Sequence, residues 1–296
     1  MLAPYHDRDG FIWMNGEFLP WRDAKIHLLT HSLHYGSCVF EGERAYNGRI
    51  FESEFHSKRL LNSAQALGFK IPYTVEELEC AKAETLKKQG LSNAYVRAMS
   101  WRGSETVGIS AQNNTIHTAI IMWEWGAYYG DAKDKGAIMD ISTWRRPSPQ
   151  TIPCKAKAAG LYMICSLSKH AAEDKGCTDA IMLDYRGYIA EATGANVFFV
   201  RDGVVYTPTP DCFLDGITRQ TAIKLLKMRG IEVVERFILP EEIPSFQQCF
   251  LTGTAAEITP VSKIGSHCFE IADLTRTVMD DYYKLCVAVD PDNFHI

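Results

Sequence analysis

No Cys-x-x-Cys pair occurs among the nine cysteines, which stand apart at positions 38, 80, 154, 165, 177, 212, 249, 268 and 286. A dispersed, odd-numbered set argues against a disulfide framework or a structural zinc site, and fits reduced thiols packed as small core residues in a cytoplasmic protein. Long apolar runs are lacking as well. The stretch 119–122 is typical, far below the roughly 18–20 residues a membrane helix needs. Residues 1–9 have neither the basic segment nor the apolar core of a secretion signal, so a cytoplasmic location is expected. Positive charge is scarce, with 31 Lys and Arg against 36 Asp and Glu, a net charge of -5. The basic residues are scattered, which excludes a nucleic acid gripped through its phosphates. No internal repeat or low-complexity segment is present.

What remains is an ordinary globular mixture, 46% hydrophobic and 23% charged, in a chain of 296 residues. That length favours two domains. Asn15-Gly16 and Asn47-Gly48 each separate two short apolar runs, the strongest local sign of a hairpin. Helical spacing at Leu60, Leu61, Ala64 and Leu67 ends at Gly68. Thr74 with Glu77 forms a capping box before the stripe Leu78, Ala81 and Leu86, stopped by Gly90. Strands are expected at 94–101 and 117–125. The polar, glycine-bearing stretch 126–136 reads as a linker, dividing the chain into domains 1–132 and 133–296. In the second half, strands are expected near 137–143, 178–184, 188–193, 196–200, 204–207, 231–239 and 247–252, and helices at 161–174, 218–229 and 273–289. Both halves mix strands and helices, an α/β or α+β protein.

Several fragments carry chemistry. Asp215-Gly216-Ile217-Thr218 leads into a helix whose N-terminal N–H groups suit an anion. Thr252-Gly253-Thr254-Ala255-Ala256 is small and hydroxyl-rich after an apolar strand, as a backbone anion nest would be. Arg59 on a helix is a candidate phosphate fork. Lys155 and Lys157 stand among small apolar residues, where burial would favour a neutral, nucleophilic amine, although exposed loop lysines would read the same. Glu191 follows an apolar strand and needs a cationic partner, either a protonated pyridine or a structural arginine. His27, His31 and His34 would share a face of a helix, but Thr30, Ser32 and Tyr35-Gly36 are weak helix formers, and no metal is expected.

These fragments fall in the order of a known family. Val39-Phe40-Glu41-Gly42-Glu43-Arg44, Tyr95-Val96-Arg97, Trp125-Gly126-Ala127-Tyr128, Lys157-Ala158-Ala159-Gly160, Glu191-Ala192-Thr193-Gly194-Ala195-Asn196, Gly216-Ile217-Thr218-Arg219 and the run from Thr252 to Pro260 resemble the class IV aminotransferases, the fold-type IV pyridoxal-phosphate enzymes. The likeness is strongest to their branched-chain amino acid aminotransferases and spans 11–260. It implies a smaller N-terminal α/β domain, a larger C-terminal domain with a barrel-like sheet, and pyridoxal 5'-phosphate between them. It also selects Lys157, five residues before Tyr162, as the Schiff-base lysine and proton shuttle.

By the same resemblance Glu191 would pair with the ring nitrogen and Tyr162 with the phenolic oxygen. Arg59, Gly216, Ile217, Thr218, Gly253 and Thr254 would hold the phosphate. The substrate carboxylate would meet Thr254, Ala255 and Tyr95. Phe40, Trp125, Tyr128 and Tyr162 would line the side-chain pocket, and Arg97 would receive the distal carboxylate of glutamate. Tyr35 and Ile109 would close the pocket of a neighbouring subunit, which implies a homo-oligomer, at least a dimer, with hexamers also formed in the family. The implied reaction moves the amino group of leucine, isoleucine or valine to 2-oxoglutarate through pyridoxamine phosphate. D-amino acid or (R)-amine transamination and aminodeoxychorismate lysis are alternatives on the same fold. Two departures stand out: Gly103-Ser104-Glu105-Thr106-Val107-Gly108-Ile109 replaces a more glycine-rich loop, and Glu43 stands where an aliphatic residue is usual.

Overall fold

A computed structural model describes residues 4–126, 128–291 and 294–296, so Ala127 of the Trp125–Tyr128 motif lies outside the described residues. The chain forms two compact units, Met1–Trp125 with Ala156–Leu161, and Gly126–Lys155 with Tyr162–Ile296. The division thus falls at Trp125 rather than at 132. The stretch expected to be a linker packs into the second unit, where the Tyr129 hydroxyl donates to Asp179 (2.7 Å) and Ala132 is a core residue.

The first unit carries β1 (Phe11–Met14), β2 (Glu17–Pro20), α1 (His31–Tyr35), β3 (Cys38–Phe40), β4 (Glu43–Tyr46), β5 (Arg49–Ile50), α2 (Ser53–Ala66), α3 (Val75–Gln89), β6 (Ala94–Arg102) and β7 (Ile116–Trp123). The sheet runs β2-β1-β7-β6-β4-β5, with β3 also on β6, and every pairing is antiparallel. Both Asn-Gly turns have positive φ at Asn and Gly, as a right-twisted two-residue hairpin demands. The expected capping box closes at both ends, Glu77 N–H onto Thr74 Oγ1 and Thr74 N–H onto the Glu77 carboxylate. The stripes of α2 and α3 bury Leu60, Ala64, Leu78, Ala81 and Leu86.

In the second unit follow α4 (Ala132–Lys135), β8 (Ala137–Arg146), α5 (Met163–Glu173), β9 (Asp179–Asp184), β10 (Ile189–Ala192), β11 (Asn196–Arg201), β12 (Val204–Pro208), α6 (Ile217–Met228), β13 (Val233–Arg236), β14 (Gln248–Gly253), β15 (Glu257–Ile264), β16 (His267–Cys268) and α7 (Asp273–Val287). The sheet order is β10-β9-β8-β15-β14-β11-β12-β13, with β16 on β15. It curls into a half-barrel around one core that includes Met139, Ile181, Val197, Phe199, Leu251 and Val261. Strand β15 departs from expectation: Thr252–Pro260 holds a turn and then the start of a strand. Pro260 disguised it, because proline cannot donate to a ladder. It is accommodated beside a register shift between Val261 and Lys263.

The unusual Glu43 has a physical explanation here. It is fully buried and receives the ammonium of the equally buried Lys82 at 2.7 Å, which also donates to Ser57. Burial still pushes the Glu43 carboxyl up, with Lys82 and His56 opposing. Removing one partner strands a charge, whereas removing both leaves an apolar pair. Lys82→Met is therefore expected to cost about 3–5 kcal/mol in chemical denaturation, and the double variant Glu43→Leu, Lys82→Met should recover most of that loss.

Candidate active site

Lys157 is fixed through its backbone. Phe40 N–H donates to the Lys157 carbonyl (3.1 Å), Lys157 N–H donates to Ser63 Oγ (3.0 Å), and Ala158 bridges to Val39 on β3. Gly36 and Gly160 approach so closely that a Cβ on Gly36 would stand 3.2 Å from Gly160 Cα, and Gly36 holds φ +69. The segment 156–161 therefore belongs with β3 and α2, although the residues on either side of it do not.

The side chain of Lys157 lies among groups that disfavour its charge. Burial first, and the Arg59 guanidinium second, pull its pKa from 10.5 to about 8, with Glu41 and Tyr95 partly opposing. Lys155, by contrast, is exposed. Arg59 aims its fork at Glu41, Nε to Oε1 and Nη2 to Oε2, both 2.7 Å. The fork assigned from sequence to a phosphate is thus engaged with a carboxylate. His56 Nδ1 also lies 2.7 Å from Glu41 Oε2. Burial alone would raise the Glu41 carboxyl, but Arg59 and His56 hold it well below the usual carboxylate range. Sequence reasoning missed Glu41 and His56. His56 precedes Arg59 by three residues on α2, so both can reach one carboxylate from a single helical face.

Around this cluster stand the expected aromatic groups. Lys157 Nζ lies 5.1 Å from the Phe40 ring centroid, and the Arg97 guanidinium carbon lies 4.5 Å from the same centroid. Arg97 Nη2 donates to the Tyr95 hydroxyl (3.0 Å), and Tyr95 packs on Trp125 at 4.8 Å between centroids. Gly42 makes room for Tyr95, since a Cβ there would fall 2.2 Å from the hydroxyl. Tyr35 and Ile109 are exposed, at 49% and 90%. They are tied through His31, whose ring stacks on Tyr35 (4.7 Å) and whose Nε2 meets the Gly108 carbonyl (2.8 Å). The 103–109 loop is pinned by Asn114, which donates to the carbonyls of Gly103 and Thr106 and also meets the Thr106 hydroxyl. A short helix does form at His31–Tyr35, ended by left-handed Gly36, but His27 lies outside it. Each of the three histidines makes its own local bond: His27 to Leu29 N–H, His31 to Ser37 and Gly108, His34 to the Leu28 carbonyl.

The second unit assembles the other half of the expected set. Glu191 on β10 is buried, with Arg146 Nε 3.4 Å from Oε1 and Asn196 Nδ2 donating to Oε2 at 3.3 Å. The structural arginine left open by the sequence is therefore present. Arg146 arrives because β8 runs three residues beyond its expected end, with a register shift between Ile141 and Arg145. Tyr162 precedes α5 and acts electrostatically on Arg146. Gly216 heads α6 with no side-chain cap, and Thr218 in its first turn is buried. Arg219 braces the turn through Asp215, Glu235 and the Pro208 carbonyl. Gly253 ends β14, packed against the Gly194 carbonyl, and Thr254, Ala255 and Ala256 form the β14–β15 turn. Tyr128 is exposed and packs edge-on against Tyr129.

Lys157 is an ammonium below pH 8 and a neutral amine above it. Its labelling by a small carbonyl reagent in cofactor-free protein should climb through about pH 8 and then level off, whereas ordinary lysines gain reactivity up to about pH 10. Mass-resolved labelling across pH reads this, and a Lys157 that reacts only above pH 10 would contradict the geometry.

The family model for Amino-transferase class IV matches residues 38–264. A probable branched-chain-amino-acid aminotransferase of Rickettsia bellii (strain RML369-C) is 44% identical over 254 residues, covering 86% of this chain and 87% of the relative. Among solved structures, the Escherichia coli branched-chain amino acid aminotransferase superposes with a TM-score of 0.93 at 36% identity, over 97% of this chain and 98% of that one. A second, the T.th. branched-chain amino acid aminotransferase complexed with N-(5'-phosphopyridoxyl)-L-glutamate, gives 0.91 at 36% identity, over 96% of each chain. The chain belongs to the class IV aminotransferases, within their branched-chain amino acid group.

Proposed function

We propose that this chain transfers the amino group of leucine, isoleucine or valine to 2-oxoglutarate, giving branched 2-oxo acids and L-glutamate, with pyridoxal 5'-phosphate as cofactor. The observation that carries the reading is a half-buried lysine with its pKa brought to about 8, beside Arg59 and the Phe40–Arg97–Tyr95–Trp125 group. The residues fit the cofactor's chemistry: an amine for its aldehyde, a cation and an uncapped helix start for its phosphate, and a buried carboxylate for its ring nitrogen. Bound, pyridoxal phosphate stores the amino group between two half-reactions and serves as an electron sink.

Lys157 would hold the cofactor through its amine, be freed when the substrate amine takes its place, and then carry the proton from the substrate α-carbon to the cofactor's former aldehyde carbon, the path reversing in the second half-reaction. Glu191, held by Arg146 and Asn196, keeps the ring nitrogen protonated, and Tyr162 bonds the phenolic oxygen. Arg59, oriented by Glu41, brings positive charge to the phosphate, together with the Gly216, Ile217 and Thr218 turn and the Gly253–Thr254 region. Thr254 and Ala255 N–H groups and the Tyr95 hydroxyl hold the substrate carboxylate. Phe40, Trp125, Tyr128 and Tyr162 offer an apolar wall for a branched side chain. Arg97, stacked on Phe40, meets the distal carboxylate when glutamate takes the same place.

The working form is a homo-oligomer, at least a dimer, in the cytoplasm. Leu28, Leu33 and Ile109 are exposed at 82%, 59% and 90%, more apolar surface than solvent favours. Leu33 also lines a 380 Å³ hollow together with Ile12, Met14, Ile26 and Trp101. All nine cysteines are free thiols, as a reducing compartment allows. Among the described residues no helix is long and apolar enough to cross a membrane.

L-leucine alone is expected to bleach the yellow, cofactor-loaded protein, and 2-oxoglutarate to restore the colour. A yellow protein that ignores L-leucine but answers D-alanine or an (R)-arylamine belongs to a different substrate class. Sedimentation of the wild type should show a dimer or larger, and the double variant Leu28→Asp, Leu33→Asp should shift it toward monomer.

A further inference from the structure

Asn196 stands where three motifs, far apart in the chain, converge. Its backbone opens β11 and pairs with Thr252, one residue from Gly253 on β14. Its side chain is buried and uses both ends of its amide. Nδ2 donates to the Glu191 carboxylate (3.3 Å) and to the Leu214 carbonyl (2.9 Å), and Oδ1 accepts from Gly216 N–H (3.2 Å). Two acceptors on one side and an N–H on the other allow only one orientation of the amide. The approach to the turn is tight as well. A Cβ on Gly216 would fall 2.3 Å from Asn196 Oδ1, so only glycine lets the head of α6 come this close.

We propose that Asn196 is a positioning residue, whose single amide sets the spacing between the carboxylate for the cofactor's ring nitrogen and the turn for its phosphate. This rests on the reading of Glu191 and the start of α6 given under Proposed function. The chemistry favours an amide at this point. Ser or Thr could not bridge both groups at this reach. Aspartate would keep the acceptor for Gly216 but set a second carboxylate against Glu191, which raises the pKa of one of the pair. A charge-assisted bond to a carboxylate, once lost, also leaves a buried acceptor short of a donor.

The test uses full-length protein and three probes in equilibrium dialysis: pyridoxal 5'-phosphate, pyridoxal, which lacks the phosphate, and the 1-deaza analogue of pyridoxal 5'-phosphate, which lacks the ring nitrogen. Two preferences follow, one for the phosphate and one for the nitrogen. Glu191→Gln serves as the control for the nitrogen end and is expected to lower that preference alone, whereas Gly216→Ala, whose Cβ would meet Asn196 Oδ1, is expected to lower both. Asn196→Ala is expected to lower both by about tenfold. Asn196→Asp should split them, losing the nitrogen preference while keeping that for phosphate. If both controls behave as expected but Asn196→Ala weakens all three probes equally, or none, the proposal is overturned and the roles of Glu191 and Gly216 stand. If Glu191→Gln leaves the nitrogen preference intact, the role assigned to Glu191 fails, and the proposal fails with it.

Discussion

A lysine amine withdrawn from water next to an arginine is the costly arrangement around which the first unit's site is built. Moving the Lys157 pKa from 10.5 to about 8 amounts to about 3 kcal/mol against the ammonium. At pH 7.5 the neutral fraction then rises from roughly one in a thousand to about a quarter. Glu41 makes the arrangement tolerable. Fully buried and held between Arg59 and His56, it balances the cation that otherwise faces Lys157. The cluster is thus tuned rather than neutralised: Arg59 depresses the lysine, and Glu41 limits how far.

Backbone placement matters as much as charge. Lys157 follows a stretch that belongs to the second unit, yet Phe40, Ser63 and Val39 seize its own segment. Because two of those bonds involve the peptide groups of Lys157 itself, the amine swings from a fixed root. The same economy operates in the second unit, where ladder pairing roots Asn196 and β8 delivers Arg146. Preorganisation of this kind lowers the entropy lost when a ligand is ordered.

What was legible in the sequence was local. Asn-Gly turns and the Thr74–Glu77 box carry their own geometry within four residues, and the structure reproduces both. The two lysines, Glu191 and the Gly216 turn stood out as chemically odd for their surroundings, but the choice of Lys157 over Lys155 came from the family resemblance. The partners of these residues were not legible. Glu41 reaches Arg59 across 18 positions, and Arg146 on β8 reaches Glu191 on β10 across the one strand between them. Charge pairing of that sort is created by the fold and leaves no spacing to read. Strand β15 was hidden for a different reason, since Pro260 breaks the pattern by which a strand is recognised.

Lys157, rather than its neighbour Lys155, is the lysine proposed to carry the cofactor. Borohydride reduction of the cofactor-loaded protein, followed by peptide mapping, tests it most directly, because reduction makes the lysine–cofactor link permanent. A phosphopyridoxyl group is expected on Lys157, whose amine is the one held near a pKa of about 8. A phosphopyridoxyl group on the exposed Lys155, or on any other lysine, would contradict it.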